Sequence, residues 1–502
     1  MTDSGSVGVP GFIERFGLRT DEQAVAADRV ASEVTRHGLE AIRVGFADPH
    51  GLVRSKTLTP PVFASALRNG MDFGLGPFMF DTGHDLVVDP FRPGGGIGVP
   101  EVEGAADFIA VPDPLTFRVL PWAGKTGWIL CDEYFKTGQA VPMSPRAALK
   151  KQVQRADGLG YTYLVGLEVE WYLTRLADEP LDWSQLGTFG TPSAPPRVRP
   201  VNAGYQFNGE LYNDAVEDFV AVLRRAIMDL GLPLRTTEHE SGPGQLEFTF
   251  EPLPAVQAAD AMVVFRSLAK QVSARHGYHA SFMCKPALAG CDASGWHLHQ
   301  SLADAASGVN LFMSDDPARL VSALARAFAG GIVAHAAEAC LFTTPTVNGY
   351  RRFGSGHSLA PSVAGWSRDN RGAMIRVLGD PGDPSAHLEN RIGEPAANPY
   401  LYMAVQLASG LDGIARDLDP GGMSIDPHAA DGPVLPATLQ EAVTAARGSA
   451  FLREQFGERL VTLMTALKAN EFQRFSKAIA AGDDPLVNGV SEWEQREYFR
   501  AF

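Results

Sequence analysis

The chain is short of cysteine, of positive charge and of long apolar runs, and each shortage removes a class of function. Four cysteines occur in 502 residues, Cys131, Cys284, Cys291 and Cys340. No two of them form a C-x-x-C pair, so neither a zinc ribbon nor a disulfide scaffold is indicated, and a reducing, cytoplasmic setting is expected. The formal net charge of −15 argues against non-specific binding to nucleic acid or anionic membrane, both of which favour a basic surface. No run approaches the roughly 18 apolar residues of a membrane span. The opening MTDSGSVGVPGF also lacks the basic and apolar regions of a signal peptide. There is no G-x-x-x-x-G-K-[ST] loop and no G-x-G-x-x-G fingerprint, so a nucleotide would have to be held in another way.

What is present falls into two textures. Residues 1–142 combine a helix over about 21–37, a hairpin in AIRVGFADPHGLVRSKTL turning at Pro49–Gly51, and short apolar runs broken by Gly and Pro. They are expected to form a small, β-grasp-like domain. At Ser144–Pro145 an N-cap followed by proline at the first helical position opens a helix. Residues 143–502 then alternate helices with strands and are expected to form the catalytic domain, a curved, mostly antiparallel sheet backed by helices. Helices are expected from a capping box at Asp214 and Glu217, over 256–276, and over 317–339 after Asp316–Pro317. Strand-like segments lie at 234–251, 279–285, 295–302 and 373–378, and Ser491 with Glu494 forms a late capping box. The fold class is α+β.

Candidate chemistry centres on VGLEVEWYL, residues 165–173. Alternation on a strand places Glu168 and Glu170 on one face and Leu167, Val169 and Trp171 on the other. Two carboxylates side by side repel unless a cation lies between them. Three other segments have the same spacing logic: Glu240 and Glu247 flank a Gly-Pro-Gly turn, His297 and His299 are two apart, and so are Glu389 and Arg391. Each has an ordinary explanation when taken alone, as a turn carboxylate, a core histidine or a surface ion pair. Together they describe an oxygen-rich site suited to Mg²⁺ or Mn²⁺. An acidic chain also concentrates Arg351, Arg352, Arg368, Arg371, Arg376 and Arg391 in a short Gly-rich stretch, and guanidinium suits carboxylate and phosphate. Cations facing arginines suggest phosphoryl transfer, with a metal-dependent hydrolase as the rival reading.

The motifs LEVEW, ESGPGQLE, SGWHLHQS, NGYRR, NRGAMIR and ENRIGEPAANPY occur in this order, and with them the chain resembles the glutamine synthetase family from about residue 40 to the C-terminus. The resemblance implies ATP and two to three Mg²⁺ or Mn²⁺ ions in each site. Glu170, Glu240 and Glu247 would hold the cation near the amino acid, and Glu168, His297 and Glu389 the one near the ATP phosphates. Arg352 and Arg391 would bind substrate carboxylates, Arg371 and Arg376 the transferred phosphoryl group, and His299 and Ser301 would lie by the nucleotide phosphates. Asp48, in FADPHG, would assist an incoming ammonium in a neighbouring subunit's site. A homo-oligomer of two stacked hexameric rings is implied, with a glutamate-like acid, an amine and ATP as the small-molecule partners.

The chain departs from the family pattern twice. Ammonia-using members carry N-G-x-G where this chain has Asp292-Ala293-Ser294-Gly295 in the substrate loop. Asp cannot donate as Asn does, although Asp292 could pair with an α-ammonium. Those members also carry a Glu before Ala-Pro in the flap, where this chain has Ser358 and Leu359. Ammonium needs a negative site and a base, whereas an aromatic amine arrives neutral and needs neither. The expected product is therefore a γ-glutamyl amide of an organic amine, formed through an acyl phosphate, with Trp296 and His357 as candidate pocket walls. The alternatives are an ammonia-using synthetase and a non-catalytic homologue. Residues 405–435 hold no tyrosine to match the regulatory one of bacterial members.

Overall fold

The computed structural model describes residues 10–177, 182–353, 359–426, 432–482 and 486–502. The first sheet is built from β1 (Ala41–Ala47), β2 (Val53–Leu58), β3 (Met71–Gly74), β4 (Asp107–Pro112), β5 (Arg118–Val119) and β6 (Thr126–Tyr134). Its order is β2-β1-β6-β4-β3, with β5 on the flank of β6 and a parallel β1–β6 pair at the centre. The hairpin forms as expected, Ala47 facing Val53 across the turn. Asp48 makes that turn, because its Oδ1 accepts the N–H groups of His50 (2.9 Å) and Leu52 (3.0 Å).

The second sheet has ten strands around β7 (Tyr161–Leu176). In chain order the others are β8 (Val198–Arg199), β9 (Leu234–His239), β10 (Gln245–Phe250), β11 (Leu253–Pro254), β12 (Tyr278–Ser281), β13 (Trp296–Asp304), β14 (Trp366–Arg368), β15 (Ile375–Leu378) and β16 (His387–Asn390). The main path runs β14-β15-β16-β13-β7-β10-β9, and β8, β11 and β12 pair with the ends of β7. Among the described residues only β14–β15 is a parallel pair in this sheet. The fold is thus α+β with a mostly antiparallel sheet.

Burial sets the register of β7. Val165, Leu167, Val169, Trp171 and Leu173 are all buried on one face, where Trp171 stacks on Phe282 (5.8 Å) and meets Phe248 edge-on (5.4 Å). A slip of one residue would turn this apolar row outward, so the acidic row is held in place by the core beneath it. Helices Pro145–Gly158 and Ala255–Arg275 pack against β7 from that side. The first begins where expected, Ser144 Oγ accepting the Ala147 N–H. Its Arg146 is buried and ties the two sheets together, reaching Asp132 of β6 (2.6 Å), Asp113 (2.8 Å) and Asp260 of the second helix (2.8 Å). One continuous apolar core runs through both sheets.

Two helix starts differ from expectation. The helix expected to begin at Asp214 runs Glu210–Asp229 from an N-cap at Gly209, and Glu217 lies inside it, paired with Arg224. Its stripe Val216, Phe219, Val220, Leu223 and Ile227 is buried as expected. Residues 317–322 are turn, because Asp316 spends its carboxylate on the Ala318 N–H (2.9 Å) and Ser322 caps the helix Ala323–Ala334 instead. A second helix, Ala336–Thr343, follows at 79°. Among the described residues no single helix is long and apolar enough to cross a membrane, and this bent apolar pair is mostly core.

Candidate active site

Strand register assembles the site. Across the face bearing Glu168 and Glu170, His297 of β13 lies opposite Glu168, and Glu247 of β10 lies opposite Glu170. Farther out, Glu238 of β9 pairs with Glu247, while Glu389 of β16 sits between His299 of β13 and Arg376 of β15. Glu240 follows β9 with the parity of Glu238, just before the Gly-Pro-Gly turn. All six carboxylate and imidazole ligands expected from the sequence are therefore on one face of one sheet.

Their contacts are close. His297 Nδ1 lies 2.6 Å from Glu168 Oε1, and His299 Nε2 lies 3.1 Å from Glu168 Oε2. Ligating atoms of Glu168, Glu247 and His297 fall within 4.8 Å of one another, as do those of Glu168, His299 and Glu389. Glu168 belongs to both groups, and His297 Nδ1 also lies 3.8 Å from Glu389 Oε1, so His297 sits beside both of its expected co-ligands. Glu170 and Glu240 flank these groups within electrostatic reach. Burial, reinforced by the charge of Glu240, pushes the Glu170 carboxyl up to about 8. Burial together with Glu168, Glu170 and Glu240 pushes Glu247 up to about 10. Burial raises Glu240 as well. Glu168 moves the other way: burial raises it, and the adjacent His297 and His299 rings outweigh that. Burial and the nearby Arg391 hold His297 down at about 4, so the ring is neutral at pH 7. Buried carboxylates that raise one another's pKa form a site that a divalent cation would relieve, and their oxygens with neutral imidazole make a suitable donor set for Mg²⁺ or Mn²⁺.

The arginines gather at the Glu389 end. Arg391 donates through Nη1 to Glu389 Oε1 and through Nε to the Arg371 carbonyl (2.8 Å), and Arg376 donates to Glu389 Oε2 (3.0 Å). Arg352 is buried, with Nη1 on the carbonyls of Ile392 (3.1 Å) and Gly393 (2.7 Å) and Nη2 on that of Arg391 (2.9 Å). Arg371 is exposed beside them. In the substrate loop, Asp292 is exposed, Ala293 half-buried and Gly295 buried. A β-carbon on Gly295 would lie 2.8 Å from His297 Nε2, 2.9 Å from Arg352 Nη2 and 3.2 Å from Glu170 Oε1. That contact places the loop directly against the cluster. Ser301 lies farther along β13, lining a cleft of about 790 Å³ with Glu168, Glu238, His299 and His387.

One expectation comes out differently. Trp296 is fully buried on the opposite face, edge-on to Tyr402 (5.1 Å), because alternation that aims His297 at the site aims its neighbour at the core. Trp296 does not line a substrate pocket. Asp48, expected to serve a neighbouring subunit's site, is fully buried in its own turn with Oδ2 on Arg54 (2.7 Å). His357 and Ser358 lie outside the described residues.

Two participants were overlooked in the sequence, although alternation marks both. Gln245, two before Glu247, donates from Nε2 to Glu170 Oε2 and Ser294 Oγ (both 3.0 Å) while Oε1 accepts from Tyr172 Oη and the Gly242 N–H. It thereby joins β7, β10 and the substrate loop. Gln245→Ala strands several buried polar groups and is expected to destabilise the protein by about 2–4 kcal/mol, read as a lower urea midpoint. His387, two before Glu389, sits against His299.

A curled sheet that gathers carboxylates, neutral imidazoles and guanidinium groups beside a deep cleft defines a class of protein, enzymes that manage anionic, phosphate-bearing substrates with divalent cations. The sequence profile of the glutamine synthetase catalytic domain matches residues 142–483, and the chain belongs to the glutamine synthetase family. This is a family of C–N bond-forming ligases that use ATP and divalent metal ions. A gamma-glutamylanilide synthase from an Acinetobacter species is 44% identical over 97% of this chain and 98% of its own length. A glutamate–isopropylamine ligase from a Pseudomonas species is 30% identical over 94% and 97%. A glutamine synthetase from Halobacterium salinarum is also 30% identical, over 97% and 98%. The solved structure of GmaS without ligand matches with a TM-score of 0.74 at 28% identity, over 93% of this chain and 98% of that one.

Proposed function

We propose that the protein joins the γ-carboxylate of glutamate to an organic amine at the expense of ATP, with aromatic amines as the preferred class. The observation that carries this reading is the end-to-end 44% identity with a gamma-glutamylanilide synthase, set beside an intact cluster of acidic, imidazole and arginine side chains. In this reading Glu168, Glu170, Glu240, Glu247, His297 and Glu389 hold two to three Mg²⁺ or Mn²⁺ ions, and bound cations supply Lewis-acid neutralisation of phosphate charge. Arg371 and Arg376 receive the transferred phosphoryl group, His299 and Ser301 border the nucleotide, and Arg352 and Arg391 hold the carboxylates of the acid. Asp292 takes the α-ammonium that an asparagine would otherwise bind. The γ-carboxylate oxygen attacks the terminal phosphorus of ATP, ADP leaves, and an acyl phosphate forms. The amine lone pair then attacks that acyl carbon, phosphate departs, and the nitrogen gives up a proton.

An amine that arrives neutral does not need a base to free its lone pair. This fits Asp48, whose carboxylate would have to leave Arg54 to act as one. We further propose a homo-oligomer of two stacked hexameric rings, located in the cytoplasm, and a division between residues 1–142 and 143–502. ADP release with glutamate should be faster with aniline than with ammonium. A preference for ammonium over every organic amine would overturn the amine assignment, and turnover only with a different acid would overturn glutamate. Absence of any Mn²⁺–ATP binding would leave a non-catalytic homologue.

A further inference from the structure

His387 has no role in the chemistry described so far, yet its ring faces the cation cluster. It lies on β16 with the parity of Glu389, lines the cleft, and places Nε2 2.9 Å from His299 Nδ1 and Nδ1 2.6 Å from the Ser385 carbonyl. That carbonyl is well held, since Asn310 Nδ2 grips the carbonyls on either side of it, Pro384 (2.8 Å) and Ala386 (2.7 Å). A carbonyl oxygen can only accept, so Nδ1 of His387 must carry the hydrogen. In the neutral ring Nε2 is then an acceptor, and the hydrogen between the two rings belongs to His299 Nδ1. His299 Nε2 is left with its lone pair, aimed at Glu168 Oε2 3.1 Å away, with Glu389 completing the group. Two electron-pair donors at that separation repel unless something positive is shared between them.

We propose that His387 is a positioning residue: it holds His299 as the Nδ1–H tautomer and so makes His299 Nε2 a cation ligand rather than a hydrogen-bond donor to phosphate. The chain of constraint starts at the Ser385 carbonyl, passes through His387, and ends at the nitrogen facing Glu168. This rests on the metal-dependent reading of the site and refines the place of His299 in it. Imidazole ligands are commonly fixed through their second nitrogen, and removing that support weakens metal binding by about 10–100-fold.

The test uses two substitutions that keep opposite halves of the relay. The amide oxygen of His387→Gln reaches the Nε2 position and can still accept from His299. The amide of His387→Asn reaches only the Nδ1 position and can serve only Ser385. Mn²⁺ binding to the full-length protein with ADP present is read from the free-ion electron paramagnetic resonance signal. His387→Asn is expected to weaken one class of Mn²⁺ at least about tenfold, and His387→Gln to stay within about twofold of wild type, with thermal unfolding unchanged in both. His299→Ala should remove the same class, and adding His387→Asn to it should cost nothing more. Wild-type binding in His387→Asn, equal weakening in His387→Gln, or additive losses in the double variant would overturn the proposal. Neither acid nor amine is present, so a wrong amine assignment would leave this result standing.

Discussion

Replacing Gly295 with alanine is expected to lower kcat/KM by at least about 10²-fold, the scale of loss that follows a displacement of about 1 Å among catalytic groups. The added methyl would enter space between His297 Nε2 at 2.8 Å, Arg352 Nη2 at 2.9 Å and Glu170 Oε1 at 3.2 Å, which is too short for three separate groups at once. The backbone cannot retreat freely, because the Gly295 carbonyl accepts the Glu170 N–H (3.0 Å) and the next residue, Trp296, bonds the Gly393 carbonyl (2.9 Å). The side chains must therefore give way, and they are the ones proposed to hold metal and substrate. The measurement is a full kinetic comparison with circular dichroism of the folded variant. Activity within a few-fold of wild type would show that the loop lies farther from the reacting atoms than its contacts indicate.

The second large effect concerns cations and pH together. Glu170 and Glu247 have folded-state pKa values of about 8 and about 10, against 4.5 for an unperturbed glutamate. Over that window the folded protein without cations holds protons that the unfolded chain has released, so stability falls as pH rises from 4.5 towards those values. Glu168 and Glu389 are shifted downward, so their contribution is lost only on the acid side, below the ordinary carboxylate range. With chelator present, the melting temperature is expected to drop steadily from mildly acidic to alkaline pH. Mg²⁺ or Mn²⁺ should remove the share of that slope supplied by Glu170 and Glu247, because a cation takes the place of their protons. Glu133 and Glu394, raised by burial to about 8 and about 7 outside the cluster, keep theirs. At a concentration a hundred times its Kd, one ion binding only the folded state adds about 2.7 kcal/mol. A flat profile without cations, or one that Mn²⁺ leaves unchanged, would overturn the account of why these carboxylates crowd together.

Much of this was readable from local pattern. The alternation in VGLEVEWYL fixed which face Glu168 and Glu170 share, the DPHG turn closed the first hairpin, and Ser144–Pro145 started its helix. These features depend on neighbours in sequence. The failures have equally physical causes. Asp214 had the right residue types for a cap, but four more residues ahead of it could join the helix and did. Trp296 was read by adjacency to His297, when strand parity should have sent it to the core. Arg146 could not be identified at all, since its partners Asp113 and Asp260 lie 33 and 114 positions away. Gln245 and His387 were within reach of the same parity rule that found the glutamates. Family resemblance supplied roles, whereas the sharing of Glu168 between two ligand groups needed coordinates.

The dependence of the whole site on one ladder also says where this chain can absorb insertions. A single residue added within β7 would invert its downstream half, trading Glu168 and Glu170 for buried neighbours and Trp171 for water. Two added residues would restore the face but displace the pair by roughly 6–7 Å along the strand, past reach of His297. Residues 182–196, between β7 and β8, lie outside that ladder and can change length without moving a carboxylate. Variation in length should therefore collect in that connection, leaving the spacing of the acidic rows untouched.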